Sequence, residues 1–201
     1  TTRPLSSNKS IIDSFKENFK GVLSFIGIDQ QTGGMDLSFQ IEAPGINFDL
    51  SHAGKKKSGD WFFFSCYNSE KANTLLEVNA SQNDKDFIMA VNWKKAAELV
   101  KAGKGRKVTT EYAHNTWDES THSATSTMKK EVVVLSVEDM KDAMFMIPCP
   151  KSPHGCDVDP TGEYIIGSGK LAALIPVFSF DKIQKAIADK AFSGDYDGVT
   201  V

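Results

Sequence analysis

At 201 residues, with 40% hydrophobic and 24% charged side chains, the chain can bury a sizeable core and make one or two globular domains, which argues against intrinsic disorder. A formal net charge of −3 leaves no basic surplus and argues against a general binder of nucleic acid or anionic membrane. No apolar run reaches the ~18 residues that span a bilayer, and Thr1-Thr2-Arg3-Pro4 lacks the apolar core of a signal peptide, so neither a membrane span nor an export signal is expected within this chain.

In chain order, strands are predicted over 21–28, 37–42, 61–67, 87–91, 131–137, 144–148, 155–158, 163–167 and 176–180, all short and rich in β-branched and aromatic residues. The 37–42 segment alternates apolar and polar residues. Helical pattern is confined to 93–102, where Ala96, Ala97 and Val100 sit among lysines, and to 181–192, which opens on an acidic first turn and stops at Ser193-Gly194. Both read as short surface helices. The polar stretch 103–130, with its threonine and serine clusters, shows no sustained period and reads as a long excursion between strands. Strands of this length and spacing give an all-β repeat architecture, and periodicity alone leaves sandwich and propeller open.

The most informative stretch runs from Cys149 through Lys170. His154 follows Pro153, which fixes φ, and precedes Gly155, which lets the backbone approach other groups, so its imidazole is held at a crowded point at a strand start. A strand-turn-strand unit follows, closed by Asp159-Pro160-Thr161-Gly162. Asp157, Asp159 and Thr161 before Gly162 copy the first half of an EF-hand loop. The twelfth position is Ser168 rather than Glu, and Pro160 interrupts, so a hairpin turn is expected. Gly167-Ser168-Gly169-Lys170 lacks the spacing and following helix of a phosphate-binding loop, which leaves Lys170 facing solvent or an acidic neighbour. Cys66, Cys149 and Cys156 are an odd number at no repeated spacing and read as free thiols filling apolar space rather than as a thiolate metal site.

Pro153-His154-Gly155 with the hairpin 159–164, Gly169-Lys170-Leu171, Phe48-Asp49-Leu50-Ser51-His52, Trp61-Phe62-Phe63-Phe64, Tyr67-Asn68-Ser69-Glu70-Lys71 and Trp93 together resemble the catalytic domain of the nitrous-oxide reductase family, over most of residues 45–195. Within that family the Sec-exported branch is the nearer likeness. The resemblance implies part of a seven-bladed β-propeller, with 154–180 as three strands of one blade. At about 40 to 45 residues per blade the chain holds only some of the blades, so residues 1–201 would be an internal fragment of one propeller domain, with the family's cupredoxin domain absent. It also implies that His154 is a ligand of the tetranuclear copper-sulfide cluster that reduces N2O to N2 and water in denitrification. Calcium would be held by Glu70 and Asp84 carboxylates, by Tyr67 and Val78 carbonyls, and by Ser152. Val78 stands where the family has methionine, and Ser152 where it has asparagine. The intact enzyme would be a periplasmic homodimer that takes electrons from a cytochrome c or similar donor through a dinuclear copper centre in the cupredoxin domain, and this fragment alone would be inactive. His52, His114 and His122 match no ligand of the family pattern and read as solvated loop positions. The alternative from another class is a non-catalytic β-propeller, binding calcium or a partner protein, in which His154 is structural.

Overall fold

The computed structural model describes residues 21–44, 47–67, 86–118, 120 and 123–201. The described strands form three sheets. One has the order β1(Gly21–Ile28), β2(Met35–Ala43), β7(Ser123–Leu135), β6(Arg106–Asp118). The second runs β12(Asp195–Tyr196), β13(Val199–Thr200), β8(Met144–Cys149), β5(Asp86–Asn92), β4(Trp61–Tyr67), β3(Asn47–Ala53). The third is an antiparallel meander, β11(Val177–Ser179), β10(Tyr164–Gly169), β9(Pro153–Val158). The chain is therefore all-β with two short helices, α1(Trp93–Lys101) and α2(Phe180–Asp189), and none of the three sheets closes on itself among the described residues.

Side-chain alternation explains how the sheets stack. Strand β5 is buried along nearly its whole length because both of its faces are covered. Phe87, Met89 and Val91 join one core with Phe39 and Ile41 of β2, Leu135 of β7 and Ala96 of α1. Ile88 and Ala90 join a second core with Val158 of β9, Ile165 of β10 and Phe180 of α2. The same split runs through β8, with Met144 and Met146 in the first core and Phe145 in the second. The six-stranded sheet is thus the middle layer of a face-to-face stack, and an apolar run without period 2 is what a strand buried on both faces produces. Ring contacts of Phe180 with Trp61 and Phe63, centroids 6.0 and 6.4 Å apart, seat α2 on the second core.

The 103–130 excursion is corrected by the structure: most of it forms the 13-residue strands β6 and β7, paired from Arg106↔Val134 to Asp118↔Ser123 with one register shift between His114 and Trp117. Its threonines are good strand formers, and β7 runs parallel to β2 from Phe39↔Val133 to Ile41↔Leu135, which supplies a long-range partner that no local period reveals. Ion pairs Arg106–Glu42 and Lys130–Asp36 tie the hairpin to β2. Strand β3 and the short β12 and β13 lie where no strand is predicted. Helix α1 matches its predicted span, capped by the Asn92 side chain, which accepts from the Lys95 N–H at 2.9 Å. Helix α2 starts at Phe180 behind a Ser179 cap and stops at Lys190, whose φ of 53° is left-handed, three residues before the expected Ser193-Gly194.

Candidate functional site

Strand β9 crosses the face of the middle sheet at its β3–β4 end, and this crossing builds the surroundings of His154. The Cys156 thiol donates to the Phe63 carbonyl at 3.3 Å, and a Cβ on Gly155 would lie 3.3 Å from the Leu50 side chain. Behind the crossing, the β9–β10 turn packs on the 3-10 turn Lys56–Ser58. The Lys57 N–H donates to the Thr161 carbonyl at 3.3 Å, Lys55 Nζ donates to the Val158 carbonyl at 2.9 Å, and Lys57 pairs with Glu163 and Asp181. Gly162 has φ +77°, and a Cβ there would fall 1.7 Å from the Lys55 carbonyl oxygen, so this junction admits glycine alone.

The resemblance to an EF-hand ends in hydrogen bonds. The Asp159 carboxylate accepts from the Thr161 hydroxyl at 2.6 Å, the Thr161 N–H at 3.0 Å and the Tyr164 N–H at 2.8 Å. These bonds, the Thr161 hydroxyl foremost, hold its carboxyl down at about 2. It closes a hairpin and has little coordinating capacity left.

His154 stands near the start of β9 with its side chain 60% exposed, so the crowded setting expected from Pro153 and Gly155 is corrected: the backbone is packed there and the ring is not. Its Nδ1 pairs with the carboxylate of Asp49 in β3, which is 18% exposed. His154 borders a shallow bowl of about 470 Å³ that it lines with Ser168, Gly169, Lys170, Ala172, Leu174 and Ile175. A second pair crosses the same seam: His52 Nε2 lies 3.1 Å from Asp157 in β9, while His52 Nδ1 lies 2.7 Å from the Ala53 carbonyl. His52 is therefore a half-buried strand residue with both ring nitrogens engaged, and the expectation of a solvated loop position is corrected. His114 lies in β6, and His122 lies outside the described residues.

Ser152, two residues before His154, is fully buried, with a left-handed φ of 53°. Its N–H donates to the Asp86 carboxylate at 2.7 Å, and its carbonyl accepts from the Lys170 N–H at 3.0 Å. The segment leading into His154 is thus pinned on two sides. Of the other expected calcium ligands, Tyr67 ends β4 opposite Asn47, whereas Glu70, Val78 and Asp84 lie outside the described residues. A calcium ion at Ser152 would meet a carbonyl that already accepts one hydrogen bond, beside the Asp86 carboxylate that holds the Ser152 N–H.

The three cysteines are free. Burial pushes the Cys149 thiol up to about 12, with the Asp86 carboxylate adding to the rise, and it pushes Cys156 up to about 11. Neutral thiols are poor metal ligands, and among the described residues no three His, Cys, Asp or Glu side chains converge as a metal cluster. His154 therefore stands as a single donor presented to a surface bowl. Neutral imidazole suits copper, and a carboxylate on the far nitrogen is the usual support of a metal-bound histidine, so the donor fits one ligand of a copper site.

Sequence reasoning missed Asp49 and Asp86. Asp86 carried a signal, an acid opening the otherwise apolar run 86–91, where a buried carboxylate must have a partner. Asp49 carried none, since a strict alternation turns it away from β9.

No family model matches the chain. Among curated proteins, a nitrous-oxide reductase from Pseudomonas fluorescens is 31% identical over 158 residues, covering 78% of this chain and 21% of that protein. One from Stutzerimonas stutzeri is 28% identical over 189 residues, covering 93% of this chain and 26% of that protein. The chain thus spans about a fifth to a quarter of the length of the relatives it matches, and over that span it is related to the nitrous-oxide reductases.

Proposed function

We propose that the chain is a segment of the catalytic β-propeller of a nitrous-oxide reductase and that His154 is one ligand of its tetranuclear copper-sulfide cluster. The observation that carries the reading is the imidazole of His154, backed on Nδ1 by a carboxylate, largely exposed and bordering the bowl. The face-to-face stacking of three sheets supports the propeller, since successive blades pack on one another in this way. Bound at this place, copper would supply the electrons that, with two protons, turn N2O into N2 and water, and would polarise the substrate. The chain's own part is narrower. It fixes one imidazole, pins the backbone before it through Asp86 and Lys170, and sets it beside a bowl of mixed lining, with Ala172, Leu174 and Ile175 next to Ser168 and Lys170.

Calcium at Tyr67, Glu70, Val78, Asp84 and Ser152 would restrain the same backbone from a third side. The remaining copper ligands, the cupredoxin domain with its dinuclear copper, the periplasmic location, the homodimer and a cytochrome c-type electron donor belong to the intact enzyme in this reading.

The test is His154→Ala in the intact protein. Cluster copper and N2O reduction are expected to be lost while the fold persists, because the side chain lies on a rim and not in a core. Full copper and activity in that variant would instead favour a non-catalytic propeller with a structural His154. Calcium is read separately: melting of the intact protein should shift down on chelation, and the Glu70→Gln, Asp84→Asn double variant should not respond.

A further inference from the structure

Strand β3 carries one residue too many. Ala53↔Phe62, His52↔Phe63 and Ser51↔Phe64 pair in step, and then Phe48 pairs with Cys66, so Asp49 and Leu50 together oppose Ser65. This is a β-bulge, and bulges re-aim side chains. Its effect can be read by counting. In unbroken register Leu50 would oppose Ser65, and Asp49 would oppose Cys66, on the face that packs toward the first core. The extra residue puts Phe48 on that face, where it meets Phe64 with ring centroids 5.8 Å apart, and swings Asp49 to the side where β9 crosses. The fully buried Ser65 hydroxyl holds the bulge closed, accepting from the Leu50 N–H at 3.1 Å and donating to the Leu50 carbonyl at 3.2 Å.

We infer that the Asp49–Leu50 bulge is a positioning device for His154: it delivers a carboxylate that fixes the imidazole as the Nδ1–H tautomer and so leaves the free lone pair on Nε2. A carboxylate oxygen accepts and does not donate, so Nδ1 carries the proton of the neutral ring, and Nε2 is left as the only donor to a metal. Asp49 is the less exposed and backbone-locked member of the pair, which makes it the part that orients and His154 the part that is oriented. Asp49 acts through His154 and is a positioning residue. The importance of the device for copper rests on the proposed ligand role; the tautomer itself does not.

The experiment reads the tautomer directly. In the intact, metal-free protein labelled with 15N at histidine, two-bond nitrogen–proton correlations above the ordinary imidazole range should show a pyrrole-type Nδ1 and a pyridine-type Nε2 for His154, assigned with His154→Gln. Asp49→Ala should move the proton toward Nε2, Asp49→Asn should restore Nδ1–H through its amide oxygen, and His52→Gln should change nothing at His154. Copper affinity should fall on the order of 10- to 100-fold in Asp49→Ala. An unchanged His154 tautomer in a folded Asp49→Ala variant, or an Nε2–H tautomer in the wild type, overturns the inference. Loss of the Nδ1–H tautomer with copper retained leaves the positioning inference standing and refutes the ligand reading of His154 instead.

Discussion

Two histidine–carboxylate pairs join β3 to β9 within one seam, and they are built in opposite senses. At one end the acid, Asp49, is mostly covered and the ring of His154 is 60% exposed. At the other the ring of His52 is 27% exposed and the acid, Asp157, is 77% exposed. The covered member is the fixed one, because its lost freedom has already been offset by packing, and the exposed member is the one that can meet a ligand. Both nitrogens of His52 are occupied within the chain, by Ala53 and Asp157, whereas one nitrogen of His154 stays open. The same two residue types thus give a strand clasp in one place and a presented donor in the other. The difference lies in which partner the fold buries.

The comparison is broken most severely by moving β9 off β3. Gly162→Ala places a Cβ on the Lys55 carbonyl in a left-handed backbone position, and a loss of about 2–4 kcal/mol is expected. Urea unfolding checks the loss, and both pairs should weaken together. A variant as stable as the wild type would mean that the 55–57 turn does not hold the hairpin in place.

Separating the two ends calls for smaller changes. His52→Ala removes a half-buried ring with two hydrogen-bonding neighbours and should cost about 1 kcal/mol, while His154→Ala made on an Asp49→Asn background, where no covered charge is orphaned, should stay within about 0.5 kcal/mol of Asp49→Asn alone. Equal costs in parallel denaturant curves would erase the distinction between clasp and presented donor.

The smallest effect sharpens the seam's acid limit. Asp159, held at about 2 by the Thr161 hydroxyl and the Tyr164 N–H, is depressed below its unfolded value near 4. Its stabilising contribution is complete above about pH 4 and is lost as pH falls toward about 2. Melting temperatures followed across that window should fall less steeply in Asp159→Asn than in wild type. Parallel slopes would show that the turn's carboxylate carries none of the acid sensitivity.

How much of this was legible in the chain varies residue by residue. Alternation in 37–42 located β2, the β9–β10 hairpin followed from Asp159-Pro160-Thr161-Gly162, and Pro153-His154-Gly155 marked the imidazole at the strand start. These are local signals: side-chain period, turn chemistry and fixed φ act over a few residues, and the sequence by itself determined them. The β6–β7 hairpin was missed because its partner, β2, lies some ninety residues away in register, as in Phe39↔Val133. The Asp49–His154 pair was out of reach for a sharper reason. The order Phe48-Asp49-Leu50 in period 2 points Asp49 away from β9, and only the pairing of Phe48 with Cys66 beside Ser51 with Phe64 inserts the extra residue that turns it back. A register is a relation between two strands and cannot be written in either one alone, so the identity of the presented histidine belonged to the sequence and the carboxylate that orients it to the tertiary structure.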